Sequence, residues 1–172
     1  MKSQRGFTLI ELMIYVGLTA LVMGLFAAIL ITVTRITGQQ SSSSQVTSEL
    51  SFLMTTIKRE IHESLGATVN NTQVILIKDA TTNPVTTSII NYDADAKKIT
   101  IEKTGPAPTT ASPLSTNHIT VDNVLFEKMV DETNPSSTII RMTITASANT
   151  TNPQNQSTKT LTATAAPFIL SQ

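Results

Sequence analysis

Cysteine and tryptophan are both absent from this chain of 172 residues. Without thiols it has no disulfide, no thiolate metal site and no cysteine nucleophile. Aromatic residues make up only 4% and charged residues 14%, a composition that suits short exposed strands and polar loops better than a large enzyme core. Lys plus Arg and Asp plus Glu number 12 each, so the net charge is zero. No positive excess marks a nucleic-acid surface, and nucleic acid is not expected as a partner of this chain alone. Catalytic constellations are missing too. His62 falls among charged residues of an amphipathic stretch, and His118 opens an apolar one. His62 reads as a solvated side chain, and His118, with no Cys and no nearby carboxylate pair, is a poor metal ligand. "DADAK", with Asp93 and Asp95, lacks the length, glycine and closing glutamate of a calcium loop and reads as a hairpin turn. No GxSxG elbow occurs among the many serines. We therefore expect no catalytic residues, no metal and no cofactor.

What the chain does have is one long apolar run. From Phe7 to Val33 the only charged residue is Glu11. As a helix this run would reach roughly 40 Å, against about 30 Å for a bilayer core. The short head before it carries Lys2 and Arg5 and no acid, which favours a cytoplasmic N-terminus. A cleaved secretory signal fits less well, because the run is too long, no small-residue cleavage site closes it, and an acid sits in its first turns. That acid needs a reason, since a charged residue at the bilayer centre costs roughly 2.5–3.5 kcal/mol on insertion scales.

Beyond Arg35 the polar stretch "ITGQQSSSSQVTSEL" is poor in helix formers and reads as a flexible or weakly helical stalk. Helical spacing then returns. Leu50, Leu53, Met54, Ile57, Ile61 and Leu65 share one face, Lys58, Arg59, Glu60, His62 and Glu63 take the other, and Gly66 offers a stop. From residue 74 onward the signals are short and β-like: "VILIK", "TTSIINY", "KKITIEK", "HITVDNVLFEKMV", "STIIRMTITAS" and "STKTLTATAAPF". Turn clusters such as "DATTNP", "TGPAPTTASP" and "DETNPSS" separate them, and joins this short imply antiparallel hairpins. The expected fold is α+β: a long, possibly interrupted N-terminal helix whose second, amphipathic part packs on an antiparallel sheet. The expected division is a leader at 1–6, a membrane helix at 7–34, a stalk with amphipathic helix at 35–66 and a β-rich domain at 67–172.

"RGFTLIELMIYV", residues 5–16, resembles the processing site of type IV prepilins and pseudopilins. The resemblance implies that a membrane prepilin peptidase cuts between Gly6 and Phe7 and that the new Phe7 amine is methylated. It also makes Glu11 the fifth mature residue, where that family keeps a glutamate. A buried ammonium at Phe7 would need a partner. Glu11, four residues on, can serve its own Phe7 or the Phe7 of a neighbouring subunit, so Phe7 and Glu11 are the expected assembly residues. Further along, "LMTTIKREIHES", "IINYDADAKKITIEK", "PLSTNHITVDNVLFEKM" and "STIIRMTIT" resemble J-type minor pseudopilins of type II secretion and W-type minor pilins. Two departures stand out: no C-terminal cysteines, and Ala28 where many pilin helices have proline.

On this resemblance the chain is a minor pilin or pseudopilin that assembles through its N-terminal helix into a type IV pilus, a type II secretion pseudopilus or a competence pseudopilus. A major pilin, or a filament-tip adhesin or DNA-uptake component, is the alternative. Implied partners are other pilin subunits, prepilin peptidase, the inner-membrane assembly platform and the cytoplasmic membrane itself. The globular part would face the periplasm or exterior.

Overall fold

A computed structural model describes residues 8–81, 85–105, 109–130 and 138–168. Its first element, α1 (Leu9–His62), is a single uninterrupted helix of 54 residues, about 80 Å long at 1.5 Å per residue. The serine run is helical as well. Weak propensity there is overridden by contact with the rest of the fold, since Ser42 and Ser43 are half-buried and Val46 is fully buried.

Two expectations at the end of this helix need correction. Gly66 is not its stop: Ser64 closes the last turn, its backbone N–H and its hydroxyl both donating to Ile61 O at 3.1 and 2.6 Å. Leu65 has therefore left the helix and is 41% exposed. The buried face is Val46, Leu50, Leu53, Met54, Ile57 and Ile61, and it packs on β7 and β8.

The strands are β1 (Gly66–Asn70), β2 (Gln73–Asp79), β3 (Thr86–Asp93), β4 (Lys98–Thr104), β5 (Thr110–Pro113), β6 (Ile119–Val130), β7 (Thr138–Ala148) and β8 (Thr158–Ala165). They form two antiparallel meanders rather than one sheet, β1 to β5 and β6 to β8, each in sequence order. β1 and β5 were not legible as strands. β5 lies in the proline-containing stretch read as a turn, and Pro113 is tolerated because β5 is an edge strand.

Side-chain alternation supplies the core. Ile140, Met142, Ile144 and Ala146 of β7 point inward at every second position. In β6 the inward set changes parity, from Ile119 and Val121 to Val124 and Phe126, because a bulge between Val121 and Asn123 inserts one residue. On the outer face of this meander, threonine hydroxyls pair across strands, Thr143 with Thr162 at 3.2 Å and Thr145 with Thr160 at 2.8 Å.

The bulge is also where the meanders meet. Tyr92 of β3 directs its hydroxyl to Val121 O and Asp122 O at 3.0 and 3.1 Å. Burial, then the charges of Asp122 and Asp93, push the Tyr92 pKa up, which keeps the hydroxyl a donor. Two backbone bonds strengthen the seam, Val121 N–H to Lys97 O at 3.1 Å and Phe126 N–H to Asn71 O at 2.9 Å.

Glu60 corrects a third expectation. Placed by spacing on the polar side of the helix, it is only 4% exposed. Lys103 Nζ meets its Oε1 at 3.1 Å, and Lys78 Nζ lies 3.0 Å from its Oε2. The Lys78 ammonium aligns its hydrogen bonds on Glu60 O at 2.8 Å and Glu63 Oε2 at 3.3 Å, so its contact with Oε2 is ionic rather than an aligned hydrogen bond. This cluster ties the end of α1 to β2 and β4. Burial alone would raise the Glu60 pKa, but the ammonium groups of Lys78 and Lys103 beside its carboxylate outweigh it and hold the pKa below its ordinary value. A lowered carboxylate pKa adds stability that is present above the ordinary value of 4.5 and is lost as pH falls through the folded value.

Lys103 is 64% exposed, so water reaches the edge of the cluster. Glu60→Gln should cost about 2 kcal/mol at neutral pH, between the 0–1 of exposed pairs and the 3–5 of broken buried ones. Urea unfolding of the full chain in detergent measures this. The gap between wild type and variant should shrink as pH falls from neutral through and below 4.5, whereas an equal gap at neutral and acid pH would assign the loss to packing instead of charge.

Candidate assembly site

The N-terminal half of α1 carries the residues singled out by sequence, and its geometry begins at Thr8. Thr8 has extended backbone, φ −81° and ψ 150°, and its hydroxyl accepts from Glu11 N–H at 3.3 Å. Its carbonyl accepts from Leu12 N–H at 3.2 Å. "TLIE" thus has the S/T-x-x-E spacing of a helix start, a signal the sequence reading passed over. Thr8 orders the turn that presents Glu11.

From Leu9 to Val33 every large apolar side chain is exposed, ranging from 42% at Val22 to 77% at Leu9. Among the described residues α1 is the one helix long and apolar enough to cross a membrane. Its threonines hide their hydroxyls internally: Thr19, Thr32 and Thr34 donate to Tyr15 O, Ala28 O and Leu30 O at 2.7, 2.9 and 2.8 Å. That removes the polar cost of three residues in an apolar medium. Furrows along this surface, one lined by Tyr15, Val16, Thr19, Ala20 and Met23, are gaps between side chains of a single helix.

Glu11 differs from those threonines. It is exposed, and among the described residues its carboxylate makes no ion pair. Lying in the first turn, it gains from the helix N-terminus, an effect of about 0.3–1 kcal/mol. That is a fraction of the cost of a charge held among apolar groups. Gly6 and Phe7, the expected cleavage and methylation residues, lie outside the described residues, as does the leader before them.

Elsewhere the geometry is that of turns. Asp93 Oδ1 accepts from Asp95 N–H and Ala96 N–H, both at 2.9 Å, and Lys97 takes a positive φ of 52° to close the β3–β4 hairpin. Among the described residues no three His, Asp or Glu side chains gather as a metal set would.

Residues 1–27 match the prokaryotic N-terminal methylation motif. No curated protein and no solved structure matches the chain. The motif supports a type IV pilin-like precursor and points to a structural subunit rather than an enzyme. Joined to the exposed apolar helix, it supports membrane anchoring and entry into a pilus. The match ends within α1, so it says nothing of the sheets.

Proposed function

We propose that this chain is a minor pilin or pseudopilin, cut between Gly6 and Phe7, methylated on the Phe7 amine and assembled through its N-terminal helix. The observation that carries the reading is the methylation motif over residues 1–27 on a helix whose apolar surface is exposed from Leu9 to Val33. A surface of that kind is stable only in lipid or among other helices. Lys2 and Arg5 favour a cytoplasmic N-terminus, which sends the sheets to the periplasmic or outer side. In this reading residues 1–6 are the leader, 7–34 the span and assembly helix, 35–66 the stalk and amphipathic helix, and 67–172 the β-rich domain. Minor status, and kinship with the J-type pseudopilins and W-type pilins, rest on the strand patterns quoted above.

Glu11 is the assembly residue. A neighbour displaced along the filament axis offers its Phe7 ammonium to this carboxylate, and the pairing sets axial register, a specificity role buried polar groups can take.

Intact mass of chain extracted from filaments tests the processing. The expected species begins at Phe7 and carries a methyl group, and a chain retaining Met1 would overturn the cut.

Glu11→Gln tests the pairing. Membrane insertion and cleavage should persist, because the span becomes less polar and the cut lies upstream. Filament incorporation should fall steeply, since breaking a buried pair costs about 3–5 kcal/mol. Normal recovery of the variant in sheared filaments would defeat the pairing.

A further inference from the structure

We infer that the β7–β8 connection is a strap that keeps α1 helical across a segment whose own sequence does not. The strap is residues 149–157, with a 3-10 turn at Pro153–Asn155. Its base is rooted. Asn149 donates from its backbone N–H to His118 O and from Nδ2 to Asn117 O, both at 2.9 Å, and Ala148 N–H donates to Ser157 O at 2.9 Å. The turn is closed by Asn155 N–H on Asn152 O at 3.0 Å. Its crown touches α1 at Gly38, where a Cβ would stand only 2.7 Å from Asn155 Oδ1.

Gly38 is not there for an unusual backbone, since no described glycine has positive φ. It is there for room. That room weakens the helix at a poor place, because Gly38 begins the run "GQQSSSSQ", and glycine and serine are weak helix formers. No side chain from Gly38 to Gln45 is fully buried; the first such anchor is Val46. The strap therefore touches α1 eight residues ahead of that anchor, at the point where the helix leaves the domain.

With the strap docked, the apolar span and the sheets are joined by a stiff rod. Undocked, residues 38–45 are free to unwind and lengthen from about 12 Å to about 26 Å, which turns the rod into a tether. The inference is independent of the pilin reading, because it rests on contacts within the chain.

Hydrogen exchange of the full chain in detergent, followed by mass spectrometry over residues 38–45, tests it with two variants. Gly38→Leu installs a strong helix former that has no room beneath Asn155, and Asn155→Ala removes the amide without touching the helix. Both should raise exchange across 38–45 by about five- to tenfold, with β2–β4 unchanged. A helix governed by its own propensity gives the opposite sign for Gly38→Leu, namely slower exchange, and that result overturns the strap. Unchanged exchange in Asn155→Ala overturns it equally. Should Gly38→Leu disturb β2–β4 as well, Asn155→Ala alone decides.

Discussion

Everything in this fold hangs on the burial of one helix face, Val46 to Ile61, against β7 and β8. Those side chains are the part of α1 that the chain itself covers. Ahead of them the same helix exposes its apolar residues throughout. Helix continuity makes the two halves one mechanical object. The direction in which Leu9–Val33 projects is set by how Leu50, Leu53 and Ile57 seat on the second meander. A surface helix is ordinarily held along its length by one apolar stripe, whereas the buried stripe of this one begins only at Val46 and the apolar residues ahead of it need another medium.

The two meanders solve a related problem at smaller scale. Each is a simple sequence of hairpins, so neither requires long-range strand pairing. What joins them is local irregularity. The β6 bulge moves the inward set from Val121 to Val124 and places the backbone carbonyls of Val121 and Asp122 within reach of the Tyr92 hydroxyl. A straight β6 would keep one parity and turn Val124 and Phe126 outward. The seam and the core thus share a cause.

Much of this was legible from spacing alone. The period-2 pattern of β7, the helical period from Leu50 to Ile61 and the apolar span were all readable because burial there follows simple geometry. The misses have physical reasons. Gly66 resembled a helix stop, yet the Ser64 hydroxyl reached the Ile61 carbonyl first. β5 was hidden by prolines that an edge strand accommodates. The division into two meanders arises because β5 and β6 do not pair, which no composition signals. At the candidate assembly site, Glu11 was conspicuous as a lone charge, while Thr8 was overlooked because threonine is common throughout the chain. Glu60 was missed for the converse reason: its helical position looks solvent-facing, and only the fold brings Lys78 and Lys103 to it from 18 and 43 residues away.

Glu60 and Glu11 are the two acids of α1 placed where a charge is costly, and comparing them shows what Glu11 lacks. Glu60 is taken out of water by the sheets, and the same sheets deliver two ammonium groups within 3.1 Å. Burial and compensation arrive together, in one chain. Glu11 has the first half of that arrangement implied by its apolar neighbours, but no described cation accompanies it. Threonines along the span show that its polar groups can be satisfied within the helix, by bonding the carbonyl four residues back. A carboxylate has no such recourse, because it can only accept and those carbonyls only accept too. Its compensation must therefore come from a donor or a cation, and the helix-terminal N–H groups supply only part of it. Under the proposed processing, the remaining source is the Phe7 amine, either of this chain or of a neighbour. A partner in the same chain would neutralise the charge and leave the helix free to slide against others. One from a neighbour would do both tasks at once, neutralising Glu11 and fixing where the next helix sits along the axis.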